Sequence, residues 1–383
     1  MPNINPMVYF LLGTLLTIPI YFLSLNKFND YKEYIENLGY NLEEIDVTTE
    51  DGYIINLWHL IPNFNVSPDK VFFLQHGFAS TGKIFFEQGE QSLPKLLMDK
   101  GYDVWIGHYR GEKNSQKHVS KNPKKANGDY WDYSIDDIVK YDLQSQINYI
   151  KNKTKAEKVD YLGISEGATL FLMLYMDYPD FVESSINRFI SFGVVQTLSN
   201  LHDDIIDILS GIYRFFKVKE KFDKTLQVKD SVRAAYINYS KKNADLKKQL
   251  FSNFGVISNK TDMKSMHHFL TYFPTDISIY HLYQWKAIQE EGKLVHYNPR
   301  VKDNQFQEYD LNALKKWKIK AFITRSKIDS FSGYEEVTDL YNLIENKSLI
   351  TLFDCDYSHL DFLLSEYAYD EIFIPLMKFL DEN

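Results

Sequence analysis

VDYLGISEGATLFLMLYM, Val159 to Met176, runs from a short β-rich apolar segment through Gly163-Ile164-Ser165-Glu166-Gly167 into an apolar stretch free of helix breakers. Strand, sharp turn and helix in that order lift a serine above the edge of a sheet. The helix that starts behind the serine aims backbone N–H groups and the positive end of its dipole at any oxyanion formed there. The two glycines are expected to supply the backbone freedom that so tight a turn needs. The same pentapeptide also describes a glycine-flanked turn with a capping serine, so the surrounding sequence has to separate the two readings.

Working outward, Val71 to Leu74 is a continuous apolar run that ends at Gln75-His76-Gly77, and Tyr102 to Ile106 is a second that ends at Gly107. Both read as buried parallel strands. Gln91 to Asp99 and Ile135 to Lys151 carry helical spacing, and further strands are expected at Phe189–Phe192, Lys320–Thr324 and Leu349–Phe353, with a terminal helix over 366–380. IDVTTEDGYIINLWHLI, Ile45 to Ile61, reads as two strands joined around Asp51-Gly52. Strand and helix therefore alternate as in an α/β fold with a mostly parallel, doubly wound sheet. The rhythm breaks between Gln196 and Leu311, where helical patterns and loops describe a cap or lid insertion. There Ile205, Leu209, Ile212 and Phe216 recur at helical spacing, with Asp203, Asp204 and Asp207 elsewhere. That stripe either packs on the core or forms a lid whose apolar face meets lipid. The expected organisation is a segment at 1–25 outside the fold, core over 26–195, insertion over 196–311 and core again over 312–383.

A serine nucleophile needs a base of suitable basicity near neutral pH, held in one tautomer by a carboxylate. Asp329 in SKIDSFSG and His359 in DYSHLDF each follow an expected strand, at the strand ends where open α/β sheets place their sites. Asp354, Asp356 and Asp361 lie nearer His359 in sequence. A carboxylate so close in the chain is poorly placed to reach one imidazole nitrogen while the other faces Ser165, so Asp329 is the expected orienting residue. Cys355 has nothing resembling an activating turn around it. The N–H of Glu166 and the N–H of Phe78, in the loop after the first buried strand, are the expected oxyanion donors, with His76 a structural hydrogen-bonding residue. The scheme calls for no metal and no cofactor. Neither the adjacent pair His267-His268 nor any other histidine shows metalloprotease spacing.

Composition supports a large folded chain. Of 383 residues, 44% are hydrophobic and 16% aromatic, with 28 Tyr and 27 Phe, enough to shape an apolar pocket. A formal net charge of -9 and a pI near 5.6 argue against nucleic acid as a partner. The basic runs at Lys121–Lys125 and Lys241–Lys248 read as solvated surface. A single cysteine excludes an intramolecular disulfide framework. Met7 to Leu25 carries no charge and fits a signal peptide or one membrane-spanning helix. Placement in the secretory pathway follows, membrane-anchored by residues 7–25, or secreted or lysosomal if that segment is cleaved. N-x-S/T sites at Asn65, Asn152, Asn238, Asn259 and Asn346 are compatible with that and with glycosylation.

Several segments together are more specific than the serine pentapeptide: TTEDGYII at Thr48–Ile55, FLQHGF at Phe73–Phe78, GYDVWIGHYRG at Gly101–Gly111, YWDYSIDDIVKYDL at Tyr130–Leu143 and SHLDF at Ser358–Phe362. On these the chain, from about Asn41 onward, resembles the acid lipase family of α/β-hydrolases that includes gastric lipase and lysosomal acid lipase. Trp285 and GKLVHYN at Gly292–Asn298 lie where that family's cap rejoins the core. The resemblance implies hydrolysis of neutral lipid esters, triacylglycerols or sterol esters, at a lipid interface or membrane. Ser165, Asp329 and His359 match the family's triad and Phe78 and Glu166 its oxyanion donors. The alternatives are a membrane-associated general esterase or acyltransferase of the same fold, and a catalytically silent lipid-binding relative. Two departures stand out: GISEG replaces the family's usual G-H-S-Q-G, and the cap cysteines are absent. The first sets a carboxylate beside the oxyanion site, a cost to the charged intermediate unless Glu166 points away or is protonated.

Overall fold

The computed structural model describes residues 31–62, 66–201, 203–227, 255–301 and 306–383. The 7–25 segment, the Lys241–Lys248 run, Asn65 and Asn238 lie outside the described residues. Among the described residues no helix is long and apolar enough to cross a membrane.

Eleven strands are described: β1 Asn41–Thr48, β2 Tyr53–Ile61, β3 Val71–Gln75, β4 Asp103–Gly107, β5 Lys117–His118, β6 Val159–Ile164, β7 Ile186–Phe192, β8 Thr225–Leu226, β9 Ile277–Ser278, β10 Lys320–Ser326 and β11 Ile350–Cys355. The main sheet has the order β1-β2-β4-β3-β6-β7-β10-β11, with β5 on β2. The β1–β2 hairpin is antiparallel and joins β4 antiparallel, and every pair from β4 to β11 is parallel. Helices cover both faces of the parallel part, which is why β3, β4 and β6 are buried at every residue. Alternation along β3 divides the interior. Val71 and Phe73 enter one core with Trp105, Phe171 and Trp317, while Phe72 and Leu74 enter the other with Leu97, Phe373 and Leu376.

The hairpin turns at Gly52, whose φ is 92°. Asp51 beside it takes two hydrogen bonds from the fully buried Arg110, at 2.6 and 2.9 Å, and Arg110 also pairs with the buried Asp142 at 2.7 Å. The helix expected over 135–151 is not uniform. It widens to a π turn over Ile138–Leu143 before continuing as α1, Gln144–Thr154, and Asp142 lies in that turn. The terminal helix behaves likewise, with a π turn at Tyr369–Phe373 ahead of Ile374–Glu382. Neither widening has a signature in apolar spacing.

α2, Glu166–Asp177, is buried from Glu166 through Met176. Its Phe171 stacks on Phe189 at 4.1 Å and Tyr175 on Trp317 at 4.6 Å, seating the helix against β7 and the segment before β10. Between β7 and β10 lie α3, Asp203–Lys219, a short helix at Met263–Phe269, and α4, Ile279–Glu291. This region also holds the antiparallel pair β8–β9, which its helical patterning did not announce. Of the expected apolar stripe, Phe216 is buried in a small cluster with Ile279, Tyr280, Leu282 and Tyr283. The side chains at 205, 209 and 212 lie outside the described residues.

Candidate active site

Ser165 follows β6 directly and precedes α2, with φ 56° and ψ −124°. This conformation costs a non-glycine residue about 1–3 kcal/mol. The surrounding bonds hold it: Ser165 N–H donates to the Phe192 carbonyl at 2.8 Å, and its own carbonyl accepts from Ala168 and Thr169. The expected role of the flanking glycines needs correcting. Neither Gly163 nor Gly167 has a positive φ; the strain sits on the serine itself. Gly167 is required for close approach, since a Cβ there would lie 2.3 Å from the Gln75 carbonyl oxygen.

Asp329 lies just past β10 and His359 just past β11, so the chain brings both to the edge where Ser165 stands. The Ser165 hydroxyl lies 2.7 Å from His359 Nε2, and His359 Nδ1 is 3.0 Å from each Asp329 oxygen. Asp329 Oδ1 also accepts from the N–H groups of Phe331 and Ser332, each at 2.9 Å, which fixes the carboxylate plane. Asp329 and His359 are buried, and Ser165 is partly exposed. The competing carboxylates are engaged elsewhere or face solvent: Asp354 pairs with Arg325 at 2.8 Å, Asp356 is exposed, and Asp361 accepts from Ser358 N–H and the Thr261 hydroxyl. Burial pushes the Cys355 thiol up to about 12, away from the thiolate a nucleophile needs.

The loop after β3 lies against the serine. A Cβ on Gly77 would stand 2.9 Å from Ser165 Cβ and 3.0 Å from the Ile164 carbonyl oxygen, so only glycine lets the two loops approach. The Gly77 carbonyl accepts from the Tyr109 hydroxyl and from His76 Nδ1, both at 2.9 Å. Complete burial lowers His76 to about 4, leaving it neutral. Phe78 follows on this loop, and Glu166 opens α2, where its amide is one of the N–H groups a helix start leaves without an intrahelical partner. A serine hydroxyl 2.7 Å from an oriented imidazole can give up its proton to it, and a helix start beside that serine can receive negative charge on an oxygen.

The Glu166 side chain is withdrawn from solvent. Its Oε2 lies 2.6 Å from His281 Nε2 and accepts the indole N–H of Trp285, both on α4. The sequence carries no sign of a role for His281, because nothing local connects it to a residue 115 positions away. Tyr109, inside one of the shared segments, was likewise not singled out.

Residues 70–276 match the family described as alpha/beta hydrolase fold, and residues 31–89 match a partial alpha/beta-hydrolase lipase region. Among curated proteins, the chain is 28% identical to lipase member K of Homo sapiens over 91% of this chain and 90% of that one. It is 26% identical to gastric triacylglycerol lipase of Rattus norvegicus over 90% of each. Among solved structures, an esterase from Exiguobacterium antarcticum superposes with a TM-score of 0.53 at 15% identity, covering 88% of this chain and 100% of that one. Carboxylesterase CesB from Bacillus subtilis gives 0.53 at 10% identity over 92% and 97%. At such identities the two structures speak for the fold alone.

Proposed function

The chain belongs to the α/β-hydrolase fold family, and on that premise we propose that Ser165, His359 and Asp329 carry its chemistry, as nucleophile, base and orienting carboxylate. The protein is a lipase, a hydrolase of carboxylic esters. The observation that carries the residue roles is the continuous line from Ser165 Oγ through both His359 nitrogens to Asp329, at 2.7 and 3.0 Å.

His359 Nε2 takes the Ser165 proton as Oγ adds to the ester carbonyl, and the N–H groups of Phe78 and Glu166 hold the resulting oxyanion. Collapse expels the alcohol, protonated by His359, and leaves an acyl-serine. Water, deprotonated by the same imidazole, then releases the fatty acid. The substrates belong to the neutral lipids, triacylglycerols or sterol esters. The names of the lipase relatives and the aromatic-rich insertion over the site support that choice. Residence in the secretory pathway belongs to the same proposal, on the strength of the uncharged 7–25 run and of sequons whose Asn152, Asn259 and Asn346 are exposed.

A fluorophosphonate probe tests the roles: it modifies the wild type at Ser165 and leaves Ser165→Ala unlabelled, and an unlabelled wild type refutes the scheme. Turnover of triolein and cholesteryl oleate against p-nitrophenyl butyrate tests the substrate class, since activity confined to the short ester makes the protein a general esterase. N-terminal sequencing of the mature protein reads the fate of residues 7–25.

A further inference from the structure

A carboxylate directly after the nucleophile opposes the negative charge that develops on the substrate oxygen, unless something compensates it. Here the compensating group comes from the insertion. His281 and Trp285 lie one turn apart on α4 and so share a face, and both engage Glu166 Oε2. Oε2 is thereby occupied by two donors, and the Tyr109 hydroxyl also lies against the Glu166 carboxyl. The site is closed to water: the side chains of His281 and Glu166 are 0% and 1% exposed. The groups facing the pair are Trp285, Tyr109, Phe78 and His76, and none of them carries a positive charge, since burial holds His76 neutral. His281 and Trp285 are therefore the groups placed to hold the Glu166 side chain by hydrogen bonds.

The same imidazole reaches the other half of the oxyanion site. Its ring meets Phe78 edge-on at 5.3 Å and 89°, and Tyr109 at 5.8 Å. Tyr109 in turn holds the Gly77 carbonyl. One side chain of the insertion thus touches the residue bearing each expected donor amide, although the two amides belong to loops after different strands.

We propose that His281 is a positioning residue for the oxyanion site, compensating the Glu166 carboxylate and locking the Phe78 and Glu166 loops to the α4 helix. This rests on the roles assigned to Phe78 and Glu166 above. It makes the insertion part of the catalytic geometry at this point. The effect belongs to kcat, because the compensated charge matters most when the oxyanion forms.

The test is a double-mutant cycle on p-nitrophenyl butyrate, a substrate that needs no lipid interface. His281→Phe keeps a ring against Phe78 and Tyr109 but leaves Trp285 as the remaining α4 donor to Glu166 Oε2, and is expected to lower kcat about 30- to 100-fold with KM within about threefold. In a Glu166→Gln background the same change costs under about fivefold, because no carboxylate remains to balance. His281→Gln restores an N–H donor at the Nε2 position and recovers at least about tenfold of the His281→Phe loss. An equal penalty in both backgrounds, or no recovery by His281→Gln, overturns the proposal in favour of a purely packing role. If His281→Phe does not fold, His281→Gln is compared in the two backgrounds instead, where a penalty independent of Glu166 refutes the coupling. Fluorophosphonate labelling of the wild type separates the two levels: without labelling the catalytic scheme itself fails, whereas labelling with an uncoupled cycle sinks only the role of His281.

Discussion

Replacing Asp329 by Asn tests the orienting role most sharply, because its outcome follows from atom positions. Oδ1 accepts from Phe331 and Ser332 N–H at 2.9 Å, and both oxygens lie 3.0 Å from His359 Nδ1. An asparagine keeps the two loop bonds only by setting its carbonyl oxygen in the Oδ1 place, which turns the NH2 group toward His359. Two donors cannot face one another, so the imidazole moves its proton to Nε2, where Ser165 needs an acceptor. Tautomer inversion of this kind costs on the order of 10⁴ in kcat. That corresponds to about 5.5 kcal/mol of transition-state stabilisation. Asp329 is held apart from the substrate by His359, so KM stays within about threefold. With the loop bonds retained, folding stability changes by about 1 kcal/mol. Steady-state kinetics on p-nitrophenyl butyrate and a thermal melt measure both, with Asp354→Asn as comparator, since Asp354 pairs with Arg325 at the sheet edge and not with His359. An Asp329→Asn enzyme within about tenfold of wild-type kcat refutes the orienting role.

Three further outcomes follow from contacts away from the triad. Gly77→Ala drives a Cβ to 2.9 Å from Ser165 Cβ, so it should cost about 1–3 kcal/mol in stability and lower kcat about 100-fold or more by shifting the Phe78 amide, read by melting and kinetics. Arg110→Met removes the cation between buried Asp142 and Asp51 and should cost about 3–5 kcal/mol in a denaturant titration; a midpoint equal to that of the wild type contradicts the reading. Burial raises Glu112 from 4.5 to about 8. The folded state therefore holds a proton there that the unfolded chain releases, and the stability this contributes is present below the unfolded value and is lost as pH rises to the folded one. Glu112→Gln should match the wild type at about pH 4 and melt higher at about pH 9, so parallel melting curves across that range would dismiss Glu112 as their source.

The alternation of strand and helix, the strand-turn-helix around Ser165 and the strand-end positions of Asp329 and His359 were legible because each depends on near neighbours. A buried parallel strand declares itself by an uninterrupted apolar run, and the residue just past it inherits its place at the sheet edge. Chain position also argued for Asp329 over Asp354, Asp356 and Asp361, and Asp329 is the carboxylate that lies 3.0 Å from His359 Nδ1. Where apolar spacing was the guide, the limits were equally local: it could not register the π turns at Ile138–Leu143 and Tyr369–Phe373, nor the two-residue strands β8 and β9 between β7 and β10.

What the linear order could not contain was decided by packing between distant segments. The turn at Ser165 is strained on the serine and not relaxed through its glycines, because the glycines are consumed by close approach, Gly167 to the Gln75 carbonyl. The carboxylate of Glu166 looked in the sequence like a liability beside the nucleophile. Its bonds to His281 and Trp285 exist only once α4 has been folded back over the core. By itself the sequence determined which groups stand at the sheet edge, since local pattern places a residue on its own element. The tertiary structure alone decided which charges meet there, since a buried charge takes its partner from whatever segment the packing brings within hydrogen-bond reach.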